Sequence, residues 1–135
     1  MIAEIVFAIS FLTLAQFFVS YCRSLIAKSR GYELSEQARE ISGVAANTAR
    51  GDQFKRVLTL IALCPGPGGD ANRIRAVSTY FNLLGFGQAL LSRAIPSAAR
   101  WIDAERGGCA YVAAVVLDRR IAYRRTVLLQ QLARN

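Results

Sequence analysis

An apolar run near the start of the chain, Ile5 to Cys22, constrains the fold more than any other feature. It is eighteen residues long and carries no charge, and its one amide is Gln16. At the rise of an α-helix it extends about 27 Å, close to the thickness of a bilayer's hydrocarbon core. We therefore predict one N-terminal transmembrane helix. Its expected membrane-facing side chains are Ile5, Phe7, Phe11, Leu14, Phe17, Phe18 and Tyr21.

A cleaved signal peptide is the alternative interpretation of this run. Signal peptides begin with basic residues and have a shorter apolar segment. Here Glu4 is acidic and no basic residue precedes the run. Tyr21 is also bulky at the position before Cys22, where a lipoprotein signal has a small residue. We expect a retained anchor.

The charges that flank the run predict its orientation. Arg23, Lys28 and Arg30 follow it closely. The positive-inside rule then leaves the N-terminus outside and directs the C-terminal part into the cytoplasm. We expect a single-pass protein of the inner, cytoplasmic membrane. Residues 1–30 would form the span and its basic flank, and residues 31–135 a cytoplasmic helical domain.

Apolar residues in the rest of the chain recur at helical spacing, and no strand pattern is present. The sequence therefore predicts an all-α fold, with a small bundle of four to five helices after the span. Ser35 is expected to cap the first domain helix, and the segment Cys64–Gly69, with two prolines and three glycines, to end the second. The apolar stripes of these two helices are Leu34, Ala38, Ile41, Ala45 and Thr48, followed by Phe54, Val57, Leu58 and Ile61.

The third predicted helix contains an uncharged stretch, Ala76–Ser92. A second span is the alternative, but several hydroxyl and amide residues make the stretch too polar for one. We expect the central helix of the bundle, buried on most sides. Asp70 or Asn72 would cap it, and Gly85 and Gly87 would mark a close helix crossing or a kink.

Two further helices complete the predicted bundle. The fourth begins at Pro96 and ends or bends at Gly107-Gly108, and the last runs from about Cys109 to Leu132. The apolar residues expected to pack inward are Ala98, Trp101, Ile102, Val112, Val115, Val116, Ile121, Leu128 and Leu132. The charged residues expected to point outward are Asp103, Glu105 and Arg106.

The composition argues against most kinds of active site. The chain has no histidine, which removes the commonest general base, zinc ligand and haem ligand. Its three cysteines have no CxxC spacing, so we expect free thiols. We predict no enzymatic activity, no metal and no cofactor. Pigment, lipid or quinone contact is not indicated, because the aromatic residues Tyr80, Phe81, Phe86, Trp101, Tyr111 and Tyr123 are expected to be core.

The net charge of +8 and the arginine pairs of the last helix indicate either an ordinary solvated helix face or a docking surface. We predict that partners or lipid bind at Arg23, Lys28, Arg30, Arg119, Arg120, Arg124 and Arg125. The expected partners are other subunits of a membrane complex and anionic lipid head groups. Nucleic acid is not favoured, since no aromatic residues are interleaved with the arginines. The glycine-rich Cys64–Asp70 segment lacks the ending of a phosphate-binding loop and is expected to be a plain connection.

These expectations together indicate a non-catalytic accessory or assembly subunit of a larger membrane protein complex. Polar Gln16 and small residues such as Ser10 and Thr13 suit a span that packs on other spans. The alternative is a free membrane-anchored adaptor that binds anionic lipid, acidic protein or nucleic acid through its arginine face.

Overall fold

The computed structural model describes residues 1–43 and 52–135. These residues form five α-helices and no strand, which confirms the all-α prediction. The predicted extension of the first domain helix over Ala45 and Thr48 lies outside the described residues. The helices are α1 (Ile2–Arg30), α2 (Glu36–Ser42), α3 (Gln53–Leu63), α4 (Asp70–Leu91) and α5 (Pro96–Arg134).

Helix α1 is long and apolar enough to cross a membrane, and no other helix within the described ranges meets the same test. Its most apolar 18-residue window has a mean hydropathy of 2.1, and none of that window is buried. Phe7, Phe11, Leu14 and Phe17 are all exposed. The N-terminal part of α1 therefore projects from the molecule as an uncovered apolar rod.

The last third of α1 belongs to the core of the bundle. Cys22, Ile26 and Ser29 are buried. The Cys22 thiol lies 3.8 Å from the carbonyl oxygen of Ala76, and the Phe18 ring packs edge-on against Tyr80. The rod thus enters the bundle as one continuous helix, without a linker. The division at residue 30 stays a prediction, but the core itself extends back to Cys22.

The central helix of the bundle is α5, not the predicted third helix. Every residue from 107 to 118 is buried, and α5 contacts all four other helices. Helix α4 buries one stripe, whereas its Leu83, Phe86 and Leu90 are exposed. The prediction was wrong because a helix segment without charge can still expose part of its apolar surface, as α4 does. Residues 107–118 are mostly small, so neighbouring helices approach α5 from every side.

The glycines of the predicted break at Gly107-Gly108 do not interrupt α5, which continues through them. A Cβ atom at Gly108 would lie 2.7 Å from Cγ2 of Ile26, so this glycine allows α1 to approach α5 closely. Gly85 has no atom within 4 Å of the corresponding position, and Gly87 has only Ile102 at 4.0 Å. No helix therefore crosses closely at Gly85, and the alternative predicted there, a kink, stays a prediction.

Helix ends follow local rules at some positions. The Ser35 hydroxyl accepts a hydrogen bond from the Ala38 amide, which confirms the predicted cap of α2. Pro96 occupies the first turn of α5 as expected. Neither Asp70 nor Asn72 caps α4, because Gly69 holds the cap position and Asp70 lies in the first turn. A carboxylate there still complements the helix dipole.

Contacts between helices give their directions. Residues 23 and 26 of α1 meet residues 105 and 108 of α5, so these two helices run parallel. Cys22 and Phe18 of α1 meet positions 76 and 80 of α4, so α4 runs antiparallel to α1. Consequently the end of α4 and the start of α5 point toward the projecting rod, and the end of α5 points away from it.

Candidate functional site

A cleft of about 380 Å³ lies beside the last turns of α1, inside the bundle end of that helix. Its apolar wall comes from the end of α1 and the middle of α5, and its basic residues come from α1, α4 and α5. The apolar lining residues are Leu25, Val112, Val115 and Val116, and the basic ones are Lys28, Arg73 and Arg119. Helix packing thus brings together cations that are far apart in the sequence.

The basic residues of this cleft have no acidic partner among the described residues. Within the described residues, an ion pair joins Arg23 to Glu105 at 3.7 Å, and neither of these residues lines the cleft. The Arg119 guanidinium lies 5.4 Å above the ring of Tyr32. Asp118, next along the chain, does not neutralise it by direct contact, because its carboxylate accepts hydrogen bonds from the Ser35 amide (3.1 Å) and hydroxyl (2.6 Å). The cleft is therefore electropositive.

Tyr32 lines the same cleft and stays protonated at neutral pH. Burial raises the pKa of its phenol, and the neighbouring Asp118 carboxylate raises it further. Its carbonyl oxygen accepts a hydrogen bond from the Tyr111 hydroxyl, which fixes the turn after α1 against α5. Cations around an apolar wall suit a ligand with an anionic head and an apolar tail.

The predicted docking residues do not form one surface. Lys28 and Arg119 line the cleft, and Arg30 and Arg125 are exposed elsewhere. Arg73, which completes the basic rim, was missed, because no local pattern links position 73 to positions 28 and 119. Arg23 is engaged by Glu105.

Two of the predicted docking arginines bind main-chain carbonyl oxygens. Arg120 donates to the carbonyls of Ile61 (3.0 Å) and Cys64 (3.1 Å). Arg124 donates to that of Pro65 at 3.1 Å. Arg120 therefore caps the C-terminus of α3, and Arg124 holds the start of the proline–glycine connection.

Glu105, which was predicted to point outward, is buried. Its carboxylate accepts a hydrogen bond from the Tyr80 hydroxyl at 3.1 Å, in addition to its contact with Arg23. A buried carboxylate needs such partners, and here they come from two other helices. The adjacent Cys109 is fully buried, and burial raises the pKa of its thiol to about 12.

Arg106, also predicted to point outward, packs back against α4. Its guanidinium lies 4.5 Å from the centre of the Phe81 ring and donates to the Gln88 side chain at 2.7 Å. Gln88 in turn donates to Asp103 at 3.3 Å. These hydrogen bonds link α4 to α5 along their seam, although Nε of Arg106 is buried there without a hydrogen-bond partner.

The predicted aromatic core is only partly confirmed. Tyr80, Phe81 and Tyr111 are buried. Trp101, which was expected on an inner edge, is 46% exposed, and Phe86 and Tyr123 are also exposed. The prediction was wrong for Trp101 because Ile102 faces the core at that turn of α5.

The end of α5 forms a distal arm, residues 119–134, in which no residue is buried. Leu128 and Leu132 were predicted to pack inward and are exposed instead, as is Leu129. The arm extends about 24 Å at the helical rise. The contacts made by Arg120 and Arg124 with the end of α3 lie at its base.

No group of three or more His, Cys, Asp or Glu residues that could hold a metal ion occurs in residues 1–43 or 52–135. Comparisons with protein-family models, with curated proteins and with solved structures find no match to this chain.

Proposed function

We propose that this protein is a non-catalytic accessory or assembly subunit of a larger membrane protein complex. The observation that carries the proposal is the presence of uncovered apolar surfaces at both ends of one continuous bundle. At one end α1 projects with an unburied apolar window, and at the other the distal arm exposes leucines. Apolar surface of this extent requires lipid or protein to cover it.

The anchor in this proposal is α1, with its basic flank on the cytoplasmic side of the inner membrane. Arg23, Lys28 and Arg30 follow the apolar window, as the positive-inside rule requires. Small and polar residues on the rod, among them Ser10, Thr13 and Gln16, allow close packing on neighbouring spans.

The distal arm is the docking element in this proposal. Because α5 runs parallel to α1, the arm ends about 40 Å beyond Glu105 in the direction away from the membrane. Its leucines and Arg125 suit a partner domain with an apolar groove and an acidic rim. Arg120 and Arg124 are excluded from this role, since they bind carbonyls of their own chain.

Purification of the full chain in mild detergent at high salt tests the subunit proposal. We expect partner chains to co-purify in fixed stoichiometry, because buried apolar packing is weakly screened. Leu132→Asp should abolish partner recovery. Leu63→Asp, at the end of α3, is the matched control, because both leucines are 73% exposed. Recovery of the wild-type chain without any stoichiometric partner would refute the proposal.

A second candidate function, binding of anionic lipid, is favoured by the basic cleft. The test is titration of a short-chain phosphatidylglycerol into the full chain held in phosphatidylcholine nanodiscs. An adaptor should bind it saturably, with affinity that falls as salt is raised. Lys28→Gln combined with Arg73→Gln should remove this binding, and Arg125→Gln should leave it unchanged. A subunit without a lipid role should show no saturable binding.

A further inference from the structure

The hairpin tip, defined as residues 83–101 at the junction of α4 and α5, exposes an unusual amount of apolar surface. No charged residue occurs from position 76 to position 92. The exposed large side chains of the tip are Leu83, Phe86, Leu90, Leu91, Ile95 and Trp101. They lie at the end of the bundle from which α1 projects, so this surface is continuous with the rod.

The direction of α4 carries the tip toward the N-terminal end of α1. Tyr80 lies level with Phe18, near the inner end of the apolar run. Leu91 lies eleven residues further, about 16 Å along the helix. One leaflet of the hydrocarbon core is about 15 Å thick, half of the full core. Phe18 itself lies about 6 Å inside the end of the apolar run at Cys22, so a membrane crossed by α1 would place Leu91 at or beyond the middle of the bilayer. Trp101, four residues before the Glu105 that meets Arg23, would lie near the boundary next to the bundle.

A hollow of about 430 Å³ separates the rod from α4 at this level. Apart from Thr79, it is lined by apolar and aromatic residues and Ala15, with Phe11, Phe18 and Leu83 among them. The Thr79 hydroxyl donates to the Arg75 carbonyl oxygen at 2.9 Å, so it needs no partner in the hollow. The hollow thus matches an acyl chain rather than water.

The polar residues of the tip are arranged for a membrane interface. Gln88 of the tip is hydrogen-bonded to Asp103 and Arg106, which lie just beyond the tip on the seam between the helices. Arg100, next to Trp101, is exposed, and a long arginine side chain can reach phosphates while its stem lies against apolar surface. Trp101 is of the residue type that concentrates at the head-group level.

We propose that the hairpin tip is a second membrane element, which enters the bilayer beside α1 from the side of the bundle, with Trp101 near the head groups and Leu90 and Leu91 among the acyl chains. Its occupant is phospholipid, and a chain of that lipid fills the hollow beside α1. The inference rests on the proposed anchoring by α1. It adds that the bundle is not suspended below the bilayer but rests in it, which holds the basic cleft close to the lipid phosphates.

The single tryptophan of the chain reports directly on this placement. The full chain is reconstituted in phosphatidylcholine–phosphatidylglycerol vesicles whose acyl chains carry bromine near the glycerol or near the chain end. We expect blue-shifted Trp101 emission, with stronger quenching by the shallow bromines than by the deep ones. Unquenched emission typical of water, from a chain that floats with the vesicles, would overturn the proposal but leave the anchor intact. A chain that does not float would refute both.

A matched pair of variants tests whether the tip itself inserts. Leu90 and Leu128 have similar exposures, 64% and 58%, but they lie at opposite ends of the molecule. Leu90→Asp should reduce the shallow quenching of Trp101 by roughly half or more, because a charge among the acyl chains is costly. Leu128→Asp should not change it. Equal quenching in both variants and the wild type would overturn insertion of the tip. Loss of quenching on addition of a co-purified partner would show that protein covers this surface instead.

Discussion

At the scale of single residues, local rules succeeded where both partners are near in sequence. Ser35 caps α2 through the amide three residues on, and Pro96 begins α5, as expected. Glu105 was misplaced because its partners, Arg23 and Tyr80, come from other helices. A charged residue in a helical pattern is expected to face solvent unless a distant residue compensates it, and the sequence does not reveal that compensation.

Replacement of Glu105 tests this buried polar cluster. Glu105→Ala would leave the Tyr80 hydroxyl buried without its acceptor. We expect a loss of about 1–3 kcal/mol in the free energy of unfolding. Asp103→Ala, two residues away and exposed, is the control and should cost far less. Denaturant titration followed by circular dichroism in mild detergent measures both. Equal stability of the Glu105→Ala variant and the wild type would show that the cluster does not stabilise the fold.

At the scale of helices, the sequence predicts which segments are helical better than it predicts where each helix ends or which helix is central. Periodic apolar residues placed α3 and its buried Phe54, Val57 and Ile61 correctly. The glycine pair in α5 predicts a helix end or bend, since each glycine costs a helix about 1 kcal/mol. Packing outweighs that cost, because Gly108 lets α1 approach α5. Sequence spacing does not state which glycine meets a neighbouring helix.

Two glycine substitutions should therefore act in opposite directions. Gly108→Ala places a methyl group against Ile26 and should destabilise the fold by about 1–3 kcal/mol. Gly85→Ala meets no atom within 4 Å and should stabilise α4 by about 0.5–1 kcal/mol. Thermal unfolding of the two variants in the same detergent checks the signs. A neutral Gly108→Ala variant would mean that α1 does not pack against α5 at this position.

At the scale of the whole molecule, the apolar rod and the all-α bundle were predictable, and their connection was not. The rod follows from an uncharged run of sufficient length, which is a property of consecutive residues. The basic cleft could not be foreseen, because Lys28, Arg73 and Arg119 meet only through the packing of three helices. The predicted boundary at residue 30 also separates α1 from the bundle, although α1 supplies Cys22 and Ile26 to the core.

Truncations distinguish a tether from a shared helix. Removal of residues 1–16 takes away no buried residue, so the remaining chain should keep its helical content and a cooperative thermal transition. Removal of residues 1–30 takes Cys22, Ile26 and Ser29 from the core and should abolish that transition. Far-UV circular dichroism during heating compares the two chains. A cooperative transition in the shorter chain would indicate that residues 31–135 form an independent domain.

Alkaline-carbonate extraction of membranes that contain the full chain tests most directly whether α1 crosses a bilayer. The wild-type chain should remain in the membrane pellet, because a spanning helix is held by burial of its apolar surface in lipid. A variant with Phe11→Lys and Leu14→Lys, two exposed positions of the rod, should be released into the supernatant. Release of the wild-type chain under the same conditions would contradict the membrane anchor.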